Sequence, residues 1–150
     1  MATEPEVSED ALHGLIRLSR QVEAALVEFN LSLAQYRVLD RLAGGEAAGK
    51  TLAEWLAVRP PTVTAIVDGL VARGLVSRTP DEIDRRRVTH DLTEQGRETF
   101  TAVSRATVRR LSRVAGHAAS DSEARSMVSA LAKWNTALNR SMTRAAAVRS

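Results

Sequence analysis

The chain has 150 residues, of which 44% are hydrophobic and 26% charged, and its formal net charge at pH 7 is +3. This balance is typical of one soluble globular domain with an aliphatic core, while the absence of cysteine excludes disulfides, thiolate metal sites and thiol-based redox sensing. Since no apolar run approaches the ~20 residues of a membrane span and the first residues are acidic, unlike a signal peptide, we expect a cytoplasmic protein.

The charge is distributed unevenly along the chain. Residues 1–28 contain two basic and six acidic side chains, whereas residues 101–150 contain nine basic and two acidic ones. Two interpretations are open. The charges lie on solvated helix faces, or the two complementary terminal segments pack together, within one chain or between two.

The first third of the sequence predicts three helices. Ser8 is placed to open the first one, whose apolar residues recur at three- and four-residue steps and which should end near Glu28. Capping boxes, in which Ser or Thr is followed three residues later by Gln or Glu, predict starts at Ser32 and Thr51, and a third box begins at Ser120. The predicted bounds of the second and third helices are 33–42 and 52–58.

A fourth helix is predicted to begin at Pro60-Pro61, because proline lacks the amide that the first turn leaves unpaired. Its apolar residues at i, i+3, i+4 and i+7 should face the core, and Gly74 should follow its end. These core-facing residues are Val63, Ile66, Val67 and Leu70. The opposite face is small, which suits close approach to a groove, and consists of Pro61, Thr62, Thr64, Ala65, Asp68 and Gly69.

Two short β-branched stretches, 75–79 and 88–92, predict a β hairpin whose tip carries three adjacent arginines. Thr93 should cap a long fifth helix, and a sixth should begin near Asp121. These two helices are longer than one small domain needs, and the apolar stripes of the first and last helices exceed what a single small core can cover, which predicts an interface. The stripe residues of the fifth and sixth helices are Phe100, Val103, Val108, Leu111 and Val114, then Met127, Leu131, Trp134, Leu138 and Met142.

The order helix, short turn, helix, hairpin is typical of a winged helix-turn-helix, whose second helix enters the major groove of DNA. Arginines at the hairpin tip can enter a narrow minor groove, where the electrostatic potential is most negative. The alternative is an exposed turn with solvated charges. Further arginines, Arg59, Arg73 and Arg78, are placed to meet phosphates.

The stretch LAEWLAVRPPTVTAIVDGLVARGLVSR (52–78), followed by Asp81, Asp84-Arg85-Arg86, Leu92-Thr93 and Gly96, resembles the MarR (multiple-antibiotic-resistance regulator) family of bacterial transcription factors. The detailed match covers roughly residues 31–97. The resemblance implies a single domain over 1–150, mostly α with a small β wing and about six helices. In it residues 31–96 form the winged DNA-binding lobe, and residues 1–30 and 97–150 form the dimerisation helices.

Function and site residues follow from the same resemblance. It implies a homodimer that binds a pseudo-palindromic operator and represses transcription. It also implies that a small aromatic ligand relieves this repression. Asp84 and Arg86 match the wing's Asp-x-Arg motif, which makes Arg86 the minor-groove residue and Arg85 and Arg87 phosphate partners. The start of the recognition helix is matched by Pro61, Thr62, Thr64 and Ala65.

Two departures from the family pattern change the expected DNA contacts. Arg59 stands where the family often has a capping serine, which predicts a lost cap and a gained phosphate contact. Ala65 and Gly69 stand where relatives often place arginines. We therefore expect Thr and Ala methyl groups to contact thymine in the major groove.

Candidate effector contacts are assigned by position only: His13, Tyr36 and Trp55, each with a core or surface role as the alternative. His13, His90 and His117 lie on different predicted elements without metal-ligand spacing, so we expect no metal or cofactor, and His90 should be a satisfied, half-buried strand residue. GGEAAGK (44–50) is interpreted as a plain interhelical loop and not as a phosphate-binding loop. The lack of any catalytic motif argues against an enzyme.

Two functions from different classes are compatible with the pattern. The first is a sequence-specific DNA-binding regulator; the second is a winged-helix protein-interaction module, suggested by the nearly uncharged recognition face. The wing distinguishes them, because an interaction module has no need of Arg85, Arg86 and Arg87.

Overall fold

The computed structural model describes residues 6–80 and 88–148. This part of the chain forms six helices and three short strands, which confirms the predicted fold class, mostly α with a small β wing. In chain order the elements are α1 (Glu9–Val27), α2 (Leu33–Ala43), β1 (Ala47–Ala48), α3 (Gly49–Leu56), α4 (Pro60–Ala72), β2 (Val76–Pro80), β3 (Val88–Leu92), α5 (Glu94–Ala115) and α6 (Asp121–Val148).

The predicted capping residues open three of the helices. Ser8 Oγ accepts a hydrogen bond from the Ala11 amide at 3.2 Å. At α2 the capping box is complete, because the Gln35 amide donates to Ser32 Oγ at 3.1 Å and the Ser32 amide donates to Gln35 Oε1 at 3.0 Å. Ser120 Oγ accepts from the Glu123 amide at 3.2 Å. These bonds satisfy amides that the first turn of a helix leaves unpaired.

The capping box predicted at Thr51 is wrong. Helix α3 already begins at Gly49, and its N-cap Ala48 makes no side-chain cap bond. The reason is strand β1, which forms where the sequence predicts a plain loop. Pairing with β3 holds Ala48 in an extended conformation, so the helix starts immediately after it.

The sheet is antiparallel with the order β1-β3-β2. Ala47 pairs with His90 on one side of β3, while β2 pairs along its whole length on the other, from Val76 opposite Leu92 to Pro80 opposite Val88. The predicted hairpin is therefore confirmed. Strand β1 additionally joins this hairpin to the start of α3.

The chain divides into two compact units after Val108. The core lies in the first unit and is aliphatic, as the composition predicts. Burial of each such side chain contributes about 1.5–3 kcal/mol. Its largest fully buried side chains are Leu26, Leu39, Leu42, Leu52, Leu70, Val38, Val67 and Val103.

Helix α5 begins in close contact with the start of β2. Thr93 Oγ1 donates to the Gly74 carbonyl at 2.6 Å and accepts from the Gly96 amide at 3.0 Å, which confirms Thr93 as the capping residue. A Cβ atom placed on Gly96 would lie 2.0 Å from the Leu75 carbonyl oxygen. Only glycine allows this approach of two backbones.

The second unit contains the end of α5 and helix α6. Side chains of α6 are described as far as residue 141, and its large hydrophobic ones are 44–59% exposed in the single chain. They are Met127, Val128, Leu131, Trp134 and Leu138. Within the described residues, none of the helices combines the length and the apolar character needed to cross a membrane.

Candidate nucleic-acid interface

Helices α3 and α4 are joined by a three-residue turn that fixes their relative orientation. Ala57 has a left-handed backbone with φ 55°, and its amide bonds the carbonyls of Ala53 and Glu54, which ends α3 abruptly. Leu52 on α3 and Val67 on α4 are fully buried. The pair is thus anchored in the core and leaves the outer side of α4 free.

The outer face of α4 is exposed, as the sequence predicts. Pro61, Thr62, Thr64 and Ala65 are all exposed, whereas the opposite side of the helix is buried. Thr64 Oγ1 donates to the Pro60 carbonyl at 3.2 Å, four residues back, so its hydroxyl proton is engaged within the helix. The surface that α4 offers to a partner is consequently small and rich in methyl groups.

Gly69 was placed on this exposed face, but it is half-buried. A Cβ atom there would lie 3.3 Å from Nε2 of Gln35, the residue that completes the capping box of α2. The close approach of α2 explains this difference. The exposed stripe is therefore narrower than the sequence suggested, and it excludes Gly69.

Arg59 is the exposed N-cap of α4 and makes no side-chain cap bond, as predicted from the missing serine. Little is lost, because Pro60 and Pro61 have no amide proton and the Arg59 carbonyl accepts from the amides of Thr62 and Val63 at 3.0 and 3.3 Å. The helix start thus needs no cap. A phosphate there would bind the Arg59 guanidinium and not free amides.

The wing arginines lie outside the described residues. The paired strands end at Pro80 and resume at Val88, and Asp84, Arg85, Arg86 and Arg87 stand between them in the sequence. Their assigned contacts with the minor groove and with phosphates stay predictions.

Arg73 is predicted to contact phosphate, but its side chain forms hydrogen bonds within the lobe. Its guanidinium donates to the Asn30 carbonyl at 2.7 Å and to the Phe29 carbonyl at 3.0 Å. The residue is half-buried and ties the end of α4 to the connection between α1 and α2. Sequence reasoning missed this role, because nothing local indicates a contact across 43 positions.

Arg78, also expected to meet phosphate, forms an ion pair with Asp68. The pair connects strand β2 with the exposed face of α4, and sequence reasoning did not identify it. Its signal in the sequence is weak. Asp68 stands four residues after Thr64 and three after Ala65, which puts its carboxylate on the same stripe as the predicted DNA contacts.

His90 lies at the centre of the sheet and is 8% exposed, which agrees with the predicted satisfied strand residue. Its Nδ1 lies 3.2 Å from the Ala47 carbonyl oxygen, so the ring bridges β3 and β1. Burial lowers the pKa of His90, the hydrogen bond that its ring donates to the Ala47 carbonyl raises it, and the charge of Arg78, its cross-strand partner, lowers it further. Neutral histidine is the favoured form.

The candidate effector residues have different environments. His13 is exposed on α1. Tyr36 is half-buried, stacks on Phe100 with ring centroids 5.6 Å apart, and places its hydroxyl 3.1 Å from Ser104 Oγ. Trp55 is half-buried against the core. These contacts give Tyr36 and Trp55 a structural role in the lobe; whether an effector also binds them is a separate proposal.

A family model described as the MarR family matches residues 29–87. A curated relative, an HTH-type transcriptional regulator of Mycobacterium bovis, is 33% identical over 105 residues, covering 69% of this chain and 73% of the relative. An HTH-type regulator of Mycobacterium leprae is 30% identical over the same shares.

Solved structures have the same fold. RV1404 of Mycobacterium tuberculosis is 28% identical with a TM-score of 0.71, over 91% of this chain and 98% of that one. Wild-type MarR of E. coli, at 20% identity, has a TM-score of 0.70 over 86% and 98%. A mutant of S. aureus MepR bound to an oligodeoxyribonucleotide, at 21% identity, has a TM-score of 0.65 over 89% and 99%.

The curated relatives are transcriptional regulators and not enzymes, and the residues matched by the family model include α2, the helix-turn-helix and β2. The six helices and the small antiparallel sheet of the described residues match the fold of the solved MarR structures. The chain therefore belongs to the MarR family of winged-helix transcriptional regulators.

Proposed function

We propose that this protein represses transcription by binding a pseudo-palindromic operator as a homodimer, with one α4 helix in each of two successive major grooves. The observation that carries the proposal is the exposed, methyl-rich stripe of α4, held by the buried face of α3 and followed by the hairpin. Methyl groups of Thr64 and Ala65 suit contact with thymine. A MepR mutant of the same fold is bound to an oligodeoxyribonucleotide, which supports DNA binding by this fold.

Dimerisation is proposed from the uncovered apolar side chains of both terminal regions. Leu12, Leu15 and Ile16 on α1 are exposed, as is the stripe of α6 around Leu131 and Trp134. Monomeric proteins rarely expose contiguous apolar patches of more than a few hundred Å². A twofold dimer would bury such stripes and would present two recognition helices to the two halves of an operator.

A gel shift with duplex DNA from the region flanking the gene tests the function. The expected result is retardation of this duplex at protein concentrations that leave a shuffled duplex of equal composition free. Absence of retardation for both duplexes at 50 mM salt would contradict DNA binding and favour the interaction-module alternative, which the scarcity of charge on α4 supports.

Relief of DNA binding by a small aromatic effector is proposed for the region of Tyr36 and Trp55, two half-buried aromatic residues of the lobe. Aromatic side chains can stack on such a ligand. A thermal-shift screen of small aromatic acids tests this, with each hit repeated on Tyr36→Phe. A true hit should raise the melting temperature and release DNA. Hits that raise the melting temperature of a variant lacking Trp55 as much as that of the wild type would argue against this location.

A further inference from the structure

The recognition helix α4 contains a single charged residue among its thirteen, and that residue is acidic. Asp68 is exposed and follows Pro61, Thr64 and Ala65 at seven, four and three positions, so it lies on the stripe that would face DNA. An acidic group at this place repels phosphates. Its presence in a DNA-facing helix needs a physical explanation that the proposed function does not supply.

The partner of Asp68 is Arg78 on strand β2, two residues before the strand ends at the wing. The two side chains remain 54% and 37% exposed, so a duplex docked on α4 can reach both of them. Paired, they present no net charge. Arg78 has further N–H donors, but its positive charge is balanced where it would otherwise bind the nearest phosphate.

We propose that Asp68 restrains sequence-independent DNA binding by balancing the charge of Arg78 at the junction of recognition helix and wing. The inference rests on the proposed function, since it assumes that α4 faces DNA. The pair has two opposing effects on DNA binding. It orients the Arg78 side chain toward a phosphate, and it balances the positive charge that would attract that phosphate. Exposed ion pairs hold side chains in one orientation only weakly, whereas each additional phosphate contact shifts the log–log salt slope by about 0.9. The charge effect should therefore dominate.

The experiment measures binding of a labelled duplex of shuffled sequence by fluorescence anisotropy between 50 and 200 mM salt. Asp68→Asn retains the size of the side chain and removes its charge. We expect about three- to tenfold tighter binding near 0.1 M salt and a slope more negative by about 0.9. Arg78→Gln should do the opposite, because it leaves the Asp68 carboxylate unbalanced. The double variant Asp68→Asn/Arg78→Gln should return to the wild-type slope, since the junction is neutral again.

Asp91→Asn is the matched control. Asp91 pairs with Arg97, and it lies on β3 next to His90, so its side chain points to the opposite face of the hairpin from the Arg78–His90 pair. The same loss of one acidic charge there should leave the slope unchanged, because a charge beyond ~10 Å is screened at 0.1 M salt. A shift equal to that of Asp68→Asn would reduce the effect to net charge and overturn the proposal.

Two further results would overturn it. In the first, Asp68→Asn has the wild-type salt slope, while Arg78→Gln and the double variant both have slopes shallower than wild type by the same amount. This result would mean that Arg78 binds phosphate even while it is paired with Asp68. The other is weaker binding by Asp68→Asn at unchanged helicity, which would make Asp68 an orienting residue. If the wild-type protein binds neither duplex, the proposed function fails instead, so the two failures are distinguishable.

Discussion

Gly96 lies where the backbone of α5 comes closest to the start of β2. The residue belongs to the stretch that carried the family resemblance, but its reason is visible only in the contact with Leu75. A side chain at this position would collide with backbone, which cannot rotate away as a flexible side chain can. The packing of α5 on the hairpin thus depends on the missing Cβ atom.

Gly96→Ala should lower the free energy of unfolding by about 1–3 kcal/mol, because the added methyl group forces two backbones apart. Gly14→Ala is the control, since a Cβ atom there meets nothing within 4 Å and Gly14 lies in the middle of α1. It should stabilise the protein by about 0.5–1 kcal/mol through helix propensity. Urea unfolding curves followed by circular dichroism compare the two variants, and equal effects would contradict the close-contact explanation.

At the wing, adjacent arginines are predicted to have different roles. If Arg86 enters the minor groove and Arg87 meets only phosphate, Arg86→Ala should weaken operator binding by about 1–3 kcal/mol and reduce the preference for A/T-rich flanks. Arg87→Ala should weaken binding to all sequences alike. Quantitative gel shifts with A/T-rich and G/C-rich flanks separate these outcomes. Equal, sequence-independent losses in both variants would leave the wing as an electrostatic clamp.

Among the elements, β3 is the central strand of the sheet, because it pairs with β2 on one side and with β1 on the other. The His90 ring adds a side-chain bond to the β1 pairing. Since β1 leads directly into α3, this strand connects the wing to the first helix of the helix-turn-helix. The protonation state of one histidine therefore bears on the lobe as a whole.

Acidification should weaken this connection. The pKa of His90 is lowered by burial, so below about pH 6.5 the unfolded chain takes up a proton that the folded lobe does not. The contribution of His90 to the free energy of unfolding is therefore fully present above pH 6.5. It declines as the pH falls toward the pKa of His90 in the folded lobe, by at most about 1.4 kcal/mol per pH unit. The pKa of Asp40 is raised by burial, so its contribution to stability changes with pH in the opposite direction, and does so at lower pH.

Urea titrations between pH 7.5 and 5 of the wild type and of His90→Gln measure this contribution. Glutamine retains a donor for the Ala47 carbonyl but does not titrate. Because both proteins contain Asp40, the difference between their pH profiles isolates His90. Its slope should vanish above pH 6.5, and a difference that stays constant down to pH 5 would show that His90 has the same pKa in the folded and the unfolded chain.

At the scale of the whole molecule, helix α6 leaves a stripe of large hydrophobic side chains exposed in the single chain. Leu131→Glu should raise the dissociation constant of the proposed dimer by at least about 100-fold, because a twofold interface loses the burial of two leucines. Ser129→Glu, on the opposite side of α6, should have little effect. Sedimentation velocity at micromolar concentration decides between them. A wild-type monomer with native helicity would contradict the dimer and the palindromic operator.

The sequence by itself determined most of the elements and their faces. The starts at Ser8, Ser32 and Ser120 and the start of α4 at its two prolines follow from interactions between residues a few positions apart, and the hairpin follows from the residue types of its two strands. Such interactions are encoded locally, so spacing and residue type suffice to find them. The same holds for the exposed stripe of α4, which follows from helical periodicity alone.

Tertiary structure decided the contacts between distant residues. Strand β1, and with it the early start of α3, exists because β3 is available to pair with it. The commitment of Arg73 to the α1–α2 connection and of Arg78 to Asp68 likewise depends on partners that no local pattern specifies. The sequence alone does not distinguish an arginine that binds a backbone carbonyl from one that binds a carboxylate or a phosphate, because only the packed chain determines which acceptor lies within reach.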